Sequence, residues 1–186
     1  MCEQFELVRL ARKTMQECFD NESEIKQTKF NKKQGVFVTI FSYPDKKLRG
    51  CVGYPNPEYP LGEAVQRASI FAMSDPRFEH IEKNELEKII IEVSVLTESI
   101  LVEKPYEDNI KIGKDGLFII YNEYSGLLLP QVPLEFNWDT KEYLRQICLK
   151  ANLPAGIIKK SETKLYKFES IIYTEEKPNG EILVKH

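Results

Sequence analysis

A chain of 186 residues with 42% hydrophobic and 30% charged residues has the composition of a water-soluble globular protein, long enough for one sizeable folding unit and too short for two ordinary independent domains. Its 26 basic and 29 acidic residues leave a net charge of −3 and a pI near 5.6, which argues against a dedicated nucleic-acid binder. Four cysteines, Cys2, Cys18, Cys51 and Cys148, are scattered without a CxxC pair or a Cys/His cluster, so neither a disulfide framework nor a zinc site is signalled.

The segment beginning at Met1 lacks the apolar core of a secretory signal, and no membrane span follows it; a cytoplasmic protein with reduced thiols is expected. Residues 5–19 place Phe5, Val8, Ala11, Met15 and Cys18 at helical spacing between charged residues, which predicts an amphipathic first helix. After a polar, Lys-rich stretch, Val36 to Phe41 is a β-branched and aromatic run of strand length, closed by the turn residues Tyr43-Pro44-Asp45. Leu48 to Val52 then returns as the second strand of a hairpin. Strict alternation would turn Arg49 and Cys51 to one face, where a guanidinium could lower the thiol pKa and favour a reactive thiolate. Free cysteines are also common as small buried hydrophobes, so a structural Cys51 is the other reading.

Three prolines make residues 54–60 a loop, and Leu61, Ala64, Val65, Ala68 and Ala72 mark a second helix with Pro60 at its start. Ser74-Asp75-Pro76-Arg77-Phe78 breaks it, either lining a cleft with Asp75 and Arg77 or pairing them to stiffen the turn. His80 stands without a second histidine nearby and reads as a surface residue. Ile89 to Thr97 is a long strand in which Glu92 and Ser94 interrupt an otherwise apolar face, as a solvent-facing surface or a cleft wall would require.

Ile110 to Ile112 predicts a short strand, with Asp115-Gly116 as a hairpin turn into Leu117–Tyr121. A further turn over 122–126 leads into a short buried strand ended by Pro130. The Pro-restrained stretch from Gln131 to Trp138 gathers Gln131, Glu135 and the only tryptophan, which either anchors the next helix or stacks on a ligand. Asp139 and Glu142 match a capping box for a helix carrying Tyr143, Leu144, Ile147 and Cys148. Leu165–Tyr173 and Glu181–Lys185 complete the strands.

Four motifs in order, Leu48-Arg49-Gly50-Cys51-Val52-Gly53, Ser74-Asp75-Pro76-Arg77-Phe78, Ile91 to Thr97 and Gly126 to Val132, resemble the AMMECR-one domain family between about Val36 and Tyr173. The resemblance implies an α+β fold of mostly antiparallel sheets with packed helices: a single domain over 1–186 with a larger lobe holding both termini, a smaller lobe from the middle of the chain, and a cleft between them. It also implies an association with Memo-type and radical S-adenosylmethionine proteins. Asp115 and Tyr54 stand where many members carry His and Thr.

The expected function is an enzyme or enzyme component acting on a small molecule or modified group through a cleft containing Cys51 and Arg49. Cys51, Arg49, Glu135 and Asp75 are the catalytic candidates: Cys51 as nucleophile or ligand, Arg49 as an anion holder, Glu135 or Asp75 as proton carrier. Gly50, Gly53, Arg77, Gln131 and Trp138 are the binding candidates. The alternative is a non-catalytic module for a partner protein or peptide, and RNA binding is a poorer third reading. No cofactor follows from these residues.

Overall fold

The computed structural model describes residues 5–20 and 24–185, which form two compact units, Met1–Leu96 with Ile171–His186 and Thr97–Ser170. The reading of the segment at Met1 as free of a secretory signal falls partly on residues 1–4, outside the described residues. Both units are α+β with antiparallel sheets, and the one holding the chain ends is the larger.

In the first unit, helix α1 (Phe5–Phe19) and helix α2 (Leu61–Met73) pack on one face of a five-stranded sheet. Its strands are β1 (Val36–Ser42), β2 (Leu48–Tyr54), β3 (Ile89–Leu96), β8 (Ser170–Glu175) and β9 (Ile182–Lys185), in the order β2-β1-β3-β8-β9. The predicted helices and the β1–β2 hairpin are present, with Lys46 at φ 53 in the turn. Alternation decides the layers. Val36, Val38 and Ile40 of β1 and Ile89, Ile91, Val93 and Val95 of β3 join Leu7, Val8, Ala11 and Met15 of α1 in a dry core. Side chains of the opposite parity, among them Thr39 and Glu92, therefore lie on the face turned away from the helices.

Arg12 is buried in this core and is held by a matched acceptor set. Its guanidinium donates to Glu175 Oε1 at 2.6 Å and Oε2 at 2.5 Å, to Leu86 O at 2.7 Å and to Ile89 O at 2.9 Å. Glu175 also accepts the Ile91 N–H at 3.0 Å, so both charges are fully hydrogen-bonded out of water.

The second unit has a four-stranded sheet, β4 (Ile100–Leu101), β7 (Lys164–Phe168), β5 (Gly116–Tyr121) and β6 (Tyr124–Leu128) in that order, with a short helix α3 (Val132–Glu135) and helix α4 (Thr140–Lys150). Tyr143, Ile147 and Cys148 of α4 pack with Leu117, Ile119 and Leu165 in its core. Its two ends are tied together where Thr97 and Glu169 exchange backbone and side-chain hydrogen bonds of 2.8 Å.

Two expectations are corrected here. Residues 110–115 form a turn rather than a strand, because the Asp115 carboxylate accepts the Lys111 N–H at 2.8 Å and the Asp115 N–H reaches Lys111 O at 2.9 Å. Gly116 instead begins β5, which pairs with β6 through a tight turn at Asn122-Glu123, with Asn122 at φ 52. The late run read as a single strand is broken at Glu169 into β7 and β8, which belong to different sheets. No helix of the described residues is long and apolar enough to cross a membrane.

Candidate functional site

Strand β2 is the edge of the five-stranded sheet, and its two motif glycines are explained by what lies against them. A Cβ on Gly50 would stand 2.1 Å from Ala72 O, so the absence of a side chain lets the end of α2 rest on the strand. A Cβ on Gly53 would meet the Phe37 ring at 2.3 Å, so that ring occupies the space above it.

The free edge of β2 is closed at Cys51 by the second motif. Asp75 Oδ2 accepts the Cys51 N–H at 3.0 Å, and Arg77 donates to Cys51 O at 3.2 Å. Arg77 in turn holds Asp75 with bonds of 2.6 and 3.0 Å from its guanidinium and 3.1 Å from its backbone N–H. A residue of an antiparallel strand points its N–H and C=O to the same side. Because those of Cys51 point outward to the Asp75–Arg77 clamp, Thr39 and Cys51, which are partners in register, form a non-hydrogen-bonded pair, the kind that brings side chains closest. The Thr39 hydroxyl accordingly donates to Cys51 Sγ at 3.3 Å.

The row continues across the sheet. Thr39 is also in register with Glu92 of β3, whose carboxylate interacts with the Thr174 hydroxyl of β8 and lies 3.6 Å from Lys185 Nζ of β9. Thiol, hydroxyl, carboxyl, hydroxyl and ammonium thus follow one another over five strands. The Glu92 end opens on a cavity of about 160 Å³.

Burial dominates the electrostatics. It raises the Glu92 pKa against the pull of Lys185, Thr174 and Lys46, in a side chain only 12% exposed. It also raises the Cys51 pKa; the Thr39 hydrogen bond and Arg77 pull it down, and Asp75 and Glu92 push it up. The guanidinium of Arg77 holds the Asp75 carboxyl far below the ordinary carboxylate range, helped by the Cys51 and Arg77 N–H groups. A carboxyl held so low keeps its charge at neutral pH. It serves as a clamp and is unsuited to the proton-carrying role expected of it.

Arg49 also departs from expectation. The β1–β2 register steps from Ile40–Gly50 to Phe41–Leu48, leaving Arg49 as the extra residue of a β-bulge. A bulge re-aims its side chain. Arg49 pairs with Glu85 at 2.7 Å and donates to Glu79 O at 3.2 Å, beside a separate open depression of about 780 Å³ that His80 also lines. The guanidinium acting on Cys51 is that of Arg77.

Gln131, Glu135 and Trp138 lie in the second unit and are described with it. Gln131 opens α3, and its side-chain oxygen is buried without a hydrogen-bond partner among the described residues. Glu135 is exposed, and Trp138 is half-buried against the second core with Phe136 stacked on it at 5.0 Å. Among the described residues no group of three or more His, Cys, Asp or Glu side chains is placed to hold a metal ion.

Of the row, Glu92 was signalled by its polarity in an apolar strand. Thr39, Thr174 and Lys185 were not, since threonine is an ordinary strand residue and a terminal lysine an ordinary surface one.

Comparison with known proteins adds three findings. The family model described as AMMECR1 matches residues 8–173. Protein MJ0810 of Methanocaldococcus jannaschii is 48% identical over 161 residues, covering 84% of this chain and 80% of the relative, and Protein PH0010 of Pyrococcus horikoshii is 45% identical over 188 residues, covering 95% and 91%. The crystal structure of the uncharacterized protein PH0010 superposes with a TM-score of 0.87 at 44% identity, covering 97% of this chain and 95% of that one.

Proposed function

Given that the chain belongs to the AMMECR1 family, we propose that it is an enzyme or enzyme component acting on a small molecule bound along the Cys51–Thr39–Glu92 row. The observation that carries this reading is the row itself: three side chains with exchangeable protons, in register on adjacent strands of the face turned away from the helices. Buried polar groups are costly to keep unless they do work or are fully paired. In this reading Glu92, its pKa raised by burial, takes up and returns protons, Thr39 fixes the thiol, and Cys51 presents a neutral S–H to the bound molecule. Asp75 and Arg77 are positioning residues acting through the Cys51 backbone.

The test is to incubate the wild-type protein and the Cys51→Ser and Glu92→Gln variants with a small-molecule extract of the cells that make it, following the components by mass spectrometry. The wild type is expected to retain or transform at least one component that both variants leave alone. An extract untouched by the wild type, or handled equally by the variants, overturns the reading.

A second reading, a non-catalytic module for a partner protein, is favoured by the exposed apolar side chains of the second unit. Leu134 is 57% exposed and Phe136 is 62% exposed beside Trp138. The partners suggested by family association are Memo-type and radical S-adenosylmethionine proteins. Capture of either that is lost in a Leu134→Ser/Phe136→Ser variant and kept in Cys51→Ser would support this reading over the first.

A further inference from the structure

The cavity at the Glu92 end of the row has a composition that narrows what it can take. Phe41, Ile90 and Leu183 supply apolar wall, and two lysines line it as well, Lys46 from the β1–β2 turn, whose charge acts on Glu92, and Lys185 from β9, whose Nζ lies 3.6 Å from Glu92. Of the carboxylates at its margin, Glu175 is committed to Arg12 and the Ile91 N–H, and Glu92 lies 3.6 Å from Lys185, with Thr174 alongside. Glu176 stands at the rim and is exposed. Among the described residues Lys46 forms no ion pair of its own and shares the charge of Glu92 with Lys185. A volume of about 160 Å³ is that of a cavity able to take benzene, room for a molecule of up to about ten non-hydrogen atoms.

We propose that this cavity binds a small organic carboxylate, with its charge between Lys46 and Lys185 and its apolar body against Phe41, Ile90 and Leu183. The inference rests on the small-molecule reading of the row and names the ligand class. With Glu92 ionised beside Lys185, the two ammonium groups leave one positive charge in excess, which a single carboxylate balances. A doubly charged phosphate would press its second charge on Glu92, and a cation would meet the lysines.

An NMR titration of the ¹⁵N-labelled full chain with acetate, propionate and benzoate tests this, against sodium chloride, inorganic phosphate, acetamide and methylammonium. Saturable shifts of the Lys46, Thr174 and Lys185 amides are expected with the carboxylates alone, weakened about tenfold or more in Lys46→Met/Lys185→Met and largely kept in Lys46→Arg/Lys185→Arg. Both lysines are exposed, so the variants are expected to keep the wild-type amide spectrum elsewhere. Shifts that do not saturate, that appear equally with acetamide or methylammonium, that are stronger with phosphate, or that persist unweakened in the methionine variant overturn the proposal. If carboxylates fail to bind while Cys51→Ser and Glu92→Gln still lose their handling of the extract, the ligand class falls and the row's role stands. If carboxylates bind as expected and those variants behave as the wild type, the cavity assignment stands and the role of the row falls.

Discussion

Asp75 accepts the outward backbone N–H of Cys51 at 3.0 Å, and this bond makes one unit of two motifs that are 24 residues apart in sequence. The Asp75 side chain is 3% exposed while that of Arg77 is 60% exposed, so the two partners contribute unequally. Asp75→Ala leaves a donor at the sheet edge without its acceptor and is expected to cost about 1–3 kcal/mol, read as a lower urea midpoint. Arg77→Ala, at a solvent-screened position, is expected to cost less, about 1 kcal/mol or under. Because the folded-state pKa of Asp75 is depressed, its contribution is present above the ordinary value of 3.8 and is lost as pH falls toward the folded value. The gap between wild type and Asp75→Asn should therefore hold from pH 5 to 8 and close only in strong acid.

Gly50→Ala places a methyl 2.1 Å from Ala72 O, a backbone atom that cannot swing aside. Separation of α2 from β2 is expected, at a cost of about 1–3 kcal/mol or more. Gly156 is the control: a Cβ there meets nothing within 4 Å, so Gly156→Ala should be neutral or stabilising by up to about 1 kcal/mol. Equal effects of the two substitutions on the melting temperature would rule out the packing explanation.

How much of this was legible in the sequence depends on the range of the interaction. The bounds of α1 and the face of β3 were readable because side-chain period alone fixes which residues a layer buries. The N-cap at Asp139 was readable for the same local reason, and its carboxylate does accept the Glu142 N–H at 2.7 Å, although the Glu142 side chain goes to Arg145 and Gln146 rather than back to the cap. The redirection of Arg49 was not readable, since one inserted residue in a bulge leaves no mark in composition and cancels the alternation that paired it with Cys51. The Cys51–Thr39–Glu92 row was hidden because it depends on cross-strand register, and Thr39 looks like any other strand threonine. The Asp115-Gly116 pair misled because the aspartate acts through its carboxylate on Lys111 and not through a hairpin turn.

The Arg12–Glu175 pair joins α1 to β8 across nearly the whole length of the chain, and both side chains are buried. Removing one partner strands the other charge, so Arg12→Ala and Glu175→Ala are each expected to cost about 3–5 kcal/mol. Arg12→Met/Glu175→Met removes both charges and should cost much less than the sum of the single changes, a non-additivity that a double-mutant cycle in urea measures directly. Additive losses would mean that the two side chains act independently.

Glu92 gives the most direct reading of the row, through pH. Its folded-state pKa is raised above the ordinary value of 4.5, mainly by burial, so the protonated form is the one the fold prefers. The stability tied to that proton is fully present below about pH 4.5 and is lost as pH rises through the folded value. Gln cannot ionise, so Glu92→Gln should match the wild type in acid and become the more stable protein at neutral and alkaline pH, seen as a melting-temperature gap that opens with rising pH. The thiol reports the same charge from the other end of the row. Glu92 pushes the Cys51 pKa up and the Thr39 hydroxyl pulls it down, so the midpoint of the pH profile for alkylation should fall in Glu92→Gln and rise in Thr39→Val. Cys148, buried in the second core, should keep its profile in both variants. Identical Cys51 profiles in all three proteins would show that the row is electrically disconnected and that Glu92 cannot serve a proton to chemistry at the thiol.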